Sequence, residues 1–386
     1  MSQAQGQTPA RGTVASLDIL RLIAALLVVV YHYFFLAWSE APGGGGIRDV
    51  IPNGPTYPWA VPAISAGWVG VEVFFVISGF VITMSAQGKT AGDFLKGRFL
   101  RLFPGILIFA TCAYAVIVSA GVLPVGLATE RYLRTLVLFP KGPWIDGVIW
   151  TLVAEAVFYF LIWLVLSLDK VRDVYWWARV AMLVQAVIWM TVPASEMFTD
   201  RIAELASTYL ARVTLVSTGS FFLLGIFFFE LWSRGLRTER IVMTAAAAAC
   251  SLISLYYISR SSVPVRDYEQ SVFTPMAIWS FCILASGICV LAERAYPLSA
   301  GAKRFVRQVG MMTYPLYLIH QITGARLLSI LYAAGLQPLI AVTVAVVACL
   351  AGSWLFARYF EPVIRDILLV TLELPARWSR RWRIEG

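Results

Sequence analysis

Runs of roughly 20 mostly apolar residues return along this chain from residue 17 to about residue 360, with only short connections between them. A run of about that length, wound as a helix, crosses the hydrocarbon core of a bilayer. The sequence therefore reads as all-α, a polytopic membrane protein with about ten transmembrane helices. They are expected near 17–37, 66–86, 102–122, 148–168, 174–193, 212–232, 241–259, 272–292, 311–333 and 337–359. Composition points the same way, because 59% of residues are hydrophobic, only 14% are charged and the mean hydropathy is +0.75. The first run is too long for a signal-peptide core and no small-residue cleavage site follows it, so it is expected to remain as a span.

Charge sorting tests the count. With ten spans and the N-terminus inside, 22 of the 31 Lys and Arg fall on the cytoplasmic side and eight outside, leaving Arg326 within the ninth span. That asymmetry is the one that orients membrane proteins, and it predicts N-in, C-in topology. It also explains the net charge of +9 without nucleic acid as a partner, since the cations sit in connections rather than on one basic face. The expected organisation is a cytoplasmic N-terminal tail at 1–16, a transmembrane domain at 17–362 and a basic, aromatic cytoplasmic tail at 363–386, whose RWSRRWR suits an anionic inner leaflet. The five cysteines lie in apolar stretches without CxxC spacing, so they predict buried packing residues and neither disulfides nor a metal site. The loop APGGGGIRDVIPNGPTYP reads as an outer connection rich in turn formers, either a lid over a site or a tolerated surface loop.

Ionisable groups inside spans are costly and default to functional hypotheses. The chain has two histidines, His32 in the first span and His320 in the ninth, and its buried carboxylates are Glu72 and Glu155. Helix rise places His32 about 8 Å, and Glu72 and Glu155 each about 10 Å, below the outer ends of their spans. All three are expected in one layer, where a histidine beside a carboxylate would serve as a general base; the competing account is a polar cluster tying helices together. The inner surface differs. FLKGRFLRLFPG puts Arg98 and Arg101 on one helix face, with Arg21 at similar depth, which suits either phosphates or positive-inside anchoring.

Taken together, these stretches resemble the acyltransferase-3 family of membrane O-acyltransferases. The Arg, ten residues, then His of its first span is matched by Arg21 and His32 in LDILRLIAALLVVVYH. The second-span signature appears as GVEVFFVISGF from Gly70 to Phe80, with Glu72 where Asp is commoner. Arg98 and Arg101 match the Arg-x-x-Arg before span three, and WTLVAEAVFY supplies Trp150, Glu155, Phe158 and Tyr159, with Thr151 for the commoner Ser. TYPLYLIH ends on His320, and Glu361–Pro362 closes the series.

The resemblance implies an integral plasma-membrane enzyme, in bacteria the inner membrane. It would move an acyl group, expected to be acetyl, from cytoplasmic acyl-CoA to a hydroxyl of a glycan, cell-surface carbohydrate or small molecule, without a metal. Arg98 and Arg101, helped by Arg21, would hold the nucleotide phosphates, and Ser78 and Gly79 would leave room for the pantetheine arm or pack helices closely. His32 would take the acceptor's proton, oriented by Glu72 or Glu155. Trp150, Tyr159, Tyr314 and Tyr317 would line the passage, His320 would line it too or simply brace helices, and Arg326 would balance the carboxylates or meet an anionic acceptor. Many relatives carry a soluble esterase-like domain, and this chain is expected to be the stand-alone form. The alternatives are a proton-coupled transporter, which would show pseudo-repeated halves with broken helices, and a catalytically silent scaffold or sensor.

Overall fold

A computed structural model describes residues 14–168, 174–191, 196–262 and 271–382. Among these the ordered elements are helices, with no strand. The principal ones are α1 (Ala15–Tyr31), α2 (Gly70–Ala86), α3 (Ala91–Ser119), α4 (Val125–Leu136), α5 (Ile149–Ser167), α6 (Val174–Thr191), α7 (Glu196–Ser207), α8 (Gly219–Arg234), α9 (Thr238–Ser262), α10 (Phe273–Ala295), α11 (Ala300–Ile319), α12 (Pro338–Leu355) and α13 (Glu361–Trp382).

Their limits follow from local chemistry. Thr90 caps α3 by accepting the Asp93 N–H at 3.1 Å, and Asp93 adds a carboxylate to the positive end of the helix. Ser299 does the same for α11 through the Ala302 N–H, and α12 opens on Pro338, whose missing N–H costs nothing in a first turn. α10 turns Phe281, Leu284, Ile288 and Leu291 outward, each more than 60% exposed. Spaced three or four residues apart, they form a stripe suited to lipid rather than water.

Among the described residues, seven helices are long and apolar enough to cross a membrane: Ala15–Ser39, Pro58–Ala86, Ala91–Ser119, Ile149–Ser167, Thr238–Ser261, Phe273–Ala295 and Pro338–Leu372. The other three expected spans are helical too, in different form. Val174–Trp189 is a shorter apolar helix, α8 has 16 residues, and 311–333 belongs to one long helical run from Ala300 to Ala333. The last helix does not stop at 362: α13 carries on to Trp382, while residues 1–13 and 383–386 of the expected tails lie outside the described residues. All five cysteines are free, but only Cys250 and Cys349 are buried. Cys289 is exposed, because packing expectations fail where lipid is the solvent.

Two features of the interior position the site. α2 packs tightly on α8, where Gly79 and Gly225 bring the backbones into contact. α1 lies between α2 and α11, and its approach to α2 needs Gly70, since a Cβ there would run into the Ala24 carbonyl and come within 3.0 Å of the Val28 side chain.

Candidate active site

Each of the two histidines opens a π-turn. α1 passes at His32 into the π segment His32–Leu36, and α11 passes at His320 into His320–Gly324. Such single π-turns are rare and concentrate at functional sites. The two interlock, because the Tyr33 hydroxyl in the first donates to the His320 carbonyl in the second at 2.8 Å.

The imidazoles meet. His320 Nε2 lies 3.3 Å from His32 Nδ1, and the rings stand edge to face with centroids 4.9 Å apart. Backbone carbonyls fix the tautomers, because a carbonyl only accepts. His32 Nδ1 lies 2.7 Å from the Val28 carbonyl and therefore carries its proton; His320 Nδ1 lies 3.1 Å from the Leu316 carbonyl and does likewise. The bare Nε2 of His320 is then free to accept from His32 Nδ1–H. That leaves His32 Nε2 with an uncommitted lone pair, the form a general base requires.

His32 lines a cavity of about 270 Å³ together with Glu72, Trp150, Arg212, Tyr317 and Gln321. Glu72 is 1% exposed and its Oε2 has no hydrogen-bond partner. Arg212 lies over the Trp150 ring at 5.2 Å with its own Nε buried and unpartnered. The cavity opens into a vestibule of about 510 Å³ that shares Glu40, Trp150, Arg212 and Gln321 with it.

A second cavity, of about 140 Å³, lies at the other end of Val71 and Tyr317, residues that line both. It is basic, with Arg21, Arg98 and Arg101 on its wall beside Glu155, Tyr159 and Tyr314. Arg21 is paired with Asp18 at 3.0 Å and Arg101 with Glu361 at 2.5 Å, while Arg98 sits over the rings of Phe94 and Tyr159 with its Nε buried and unpartnered. Ser78 donates to Glu155 at 2.9 Å, and Tyr314 donates to the Leu102 carbonyl at 2.7 Å.

Several expectations change. The His–carboxylate pair is not formed: among the described residues the ring partners of His32 are the Val28 carbonyl and His320. Glu155 does not share the layer of His32 and Glu72 but lies in the basic cavity. The reason is register, since Glu72 is the third residue of α2 and Glu155 the seventh of α5, about one turn deeper. Gly79 lines neither cavity. It follows Ser78 by about 100° around the helix, and where Ser78 faces the cavity Gly79 faces the Phe222 carbonyl and Gly225. Arg326 lines neither cavity either.

Glu40, Gln321 and Asp146 carry no signal in the sequence that marks them as site residues, and Arg212 reads there as an outer anchor. Asp146 is 3% exposed just before α5; burial raises its carboxyl to about 7, and its Oδ1 accepts the Val148 N–H at 3.1 Å. The only sequence sign of Arg212 was its place at the very edge of an apolar run.

Comparison with known families decides the class. The profile described as Acyltransferase domain, acyltransferase-3, matches residues 14–358. The chain belongs to this acyltransferase family. The chain is also 27% identical over 197 residues to Nodulation protein 10 of Rhizobium leguminosarum bv. viciae, a match covering 44% of this chain and 47% of that protein. No solved structure matches. Among the described residues, no three His, Cys, Asp or Glu side chains lie close enough to hold a metal ion.

Proposed function

We propose that this protein transfers an acyl group, by preference acetyl, from acyl-CoA entering the basic cavity to a hydroxyl of a glycan or other acceptor entering through the vestibule. The observation that carries this reading is the pair of cavities, one lined by three arginines and the other by His32, that meet at Val71 and Tyr317. Arg21, Arg98 and Arg101 suit the phosphates of a nucleotide carrier, and the eleven residues from Arg21 to His32 span about 16 Å of helix, a length that an extended thioester arm bridges. His32 Nε2 takes the acceptor's hydroxyl proton as the oxygen attacks the thioester carbonyl. Collapse of the tetrahedral adduct breaks the C–S bond, forms the ester and releases the thiolate, which recovers the proton from the imidazolium. Arg212 and Gln321 supply N–H donors beside that carbonyl's new negative charge. Nodulation protein 10 comes from a bacterium, and the inner membrane is the expected location.

Incubating the purified protein with radiolabelled acetyl-CoA and candidate glycans tests the reaction, and a product ester identifies donor and acceptor together. Arg98→Ala is expected to raise KM for the donor about tenfold or more with kcat little changed, because one charge-assisted phosphate contact contributes roughly 1.5–3 kcal/mol. Unchanged donor KM would reduce Arg98 to an anchor. The basic cavity is assigned to the cytoplasm on the 22-to-8 distribution of cations. Reporter fusions at Gly386 and in the loop after α4 should therefore report inside and outside respectively; the reverse pattern overturns the assignment.

A further inference from the structure

The vestibule has a charge that acyl transfer to a plain hydroxyl does not need. Arg131, Lys141 and Arg212 line it, against Glu40 as its one carboxylate. Glu40 already accepts from the Arg48 N–H at 3.3 Å, and burial raises its pKa above the ordinary carboxylate value. Arg131 donates one Nη1 hydrogen to the Gly44 carbonyl at 2.7 Å, yet its Nε is buried without a partner. Its neighbour Arg134 is neutralised by Glu130 one turn away. Lys141 is exposed at the mouth. Among the described residues, no carboxylate lies within ion-pair distance of Arg131, Lys141 or Arg212, although Glu130 acts on Arg131 and Glu72 on Arg212 from farther off, and close ion pairs are formed elsewhere on the chain.

The site is built rather than incidental. The GGGG loop is not a free surface loop: Asp49 accepts the Gly43 and Gly45 N–H groups at 2.7 Å each, and Gly45, at φ +77°, lies against the Arg131 guanidinium. That contact holds Arg131 at the vestibule wall. Beside it Trp144 and Tyr209 meet edge to face at 4.9 Å, and Trp150 forms the floor toward His32. Aromatic rings with polar rims suit the C–H faces of sugar rings, and unpaired guanidinium and ammonium groups suit carboxylate or phosphate.

We propose that the vestibule binds the acceptor as an acidic glycan, its carboxylate or phosphate ester held by Arg131 and Lys141 and its sugar rings laid against Trp144 and Tyr209. The proposal rests on reading the His32 cavity as the acceptor side. Arg212, shared with that cavity, stands between the anionic group and the reacting hydroxyl.

The test uses the full chain in lipid nanodiscs and calorimetric titration with two matched pairs: tetragalacturonate against its methyl ester, and 6-phosphorylated cellotetraose against cellotetraose. At least one acid should bind about tenfold tighter than its neutral partner at low salt, and the pair that responds separates carboxylate from phosphate as the source. That preference should fall to about threefold or less near 0.5 M NaCl and in Arg131→Gln/Lys141→Gln, and should survive in Arg131→Lys, which keeps the charge. Equal binding of acid and neutral forms, no binding of any probe, or a preference that persists in the double variant would overturn it. Transfer from labelled acetyl-CoA separates the two readings. A neutral glycan acetylated as fast as its acidic partner leaves the proposed reaction standing and removes this inference; acid-selective binding without transfer to any probe does the reverse.

Discussion

His32→Ala is expected to lower acyl transfer about 10²- to 10⁴-fold, the usual loss when a general base is removed, while the protein still inserts and accumulates. The Val28 and Leu316 carbonyls accept from Nδ1–H of the two histidines, keep the proton there, and leave Nε2 of His32 as the uncommitted base nitrogen. Insertion is spared because a methyl group in an apolar span costs nothing against lipid. Steady-state transfer of labelled acetyl groups, with the amount of folded protein measured by gel filtration in detergent, reads both effects. A folded His32→Ala protein working near the wild-type rate would refute the assignment and transfer the role to His320. His320→Gln should act more mildly if that ring only accepts from His32 and sets its orientation.

Gly79→Val should leave little folded protein. A Cβ at Gly79 would be driven into the Phe222 carbonyl and come within 3.1 Å of Gly225 Cα, and a Cβ at Gly225 would come within 2.7 Å of the Phe80 nitrogen. Every one of these neighbours is backbone, so relief requires separating α2 from α8. Overpacking of this kind costs about 1–3 kcal/mol or more, a large share of the roughly 5–15 kcal/mol by which folded domains are stable. Ser78→Val, one residue earlier, points into the basic cavity and should fold; it should impair donor use instead. If Gly79→Val elutes as a monodisperse species at wild-type yield, the close approach is not needed for the fold.

The sequence was most readable where physics is local. Long apolar runs gave helices, and the cost of burying charge in lipid singled out His32, Glu72, Glu155 and His320 before any geometry was known. Depth was less readable, because counting residues from the end of an apolar run assumes that the helix begins there. α2 begins only two residues before Glu72, and that difference put Glu155 in the other cavity. The pairing of His32 with His320 spans 288 positions and depends on how α1 and α11 lie together, which periodicity does not encode. Arg212 was hidden by a different effect. Positive-inside counting treats an arginine at the edge of a span as an anchor, and only the neighbouring Glu72 and Trp150 show that it turns inward.

The π-turns carry a consequence for how this chain can vary among relatives. Each holds one residue more than the α-turn it replaces. Deleting a single codon within HYFFL or HQITG would restore an unbroken α-helix, leave the side chains beyond it on roughly their present faces, and close the widened turn that each histidine opens. The loss would fall on the turns themselves, where the Tyr33 hydroxyl of one segment meets the His320 carbonyl of the other. The length of these two segments is therefore as constrained as the histidines that open them. An aligned set of descendants should show gaps crowding the connections between spans and none in the five residues that begin at either histidine.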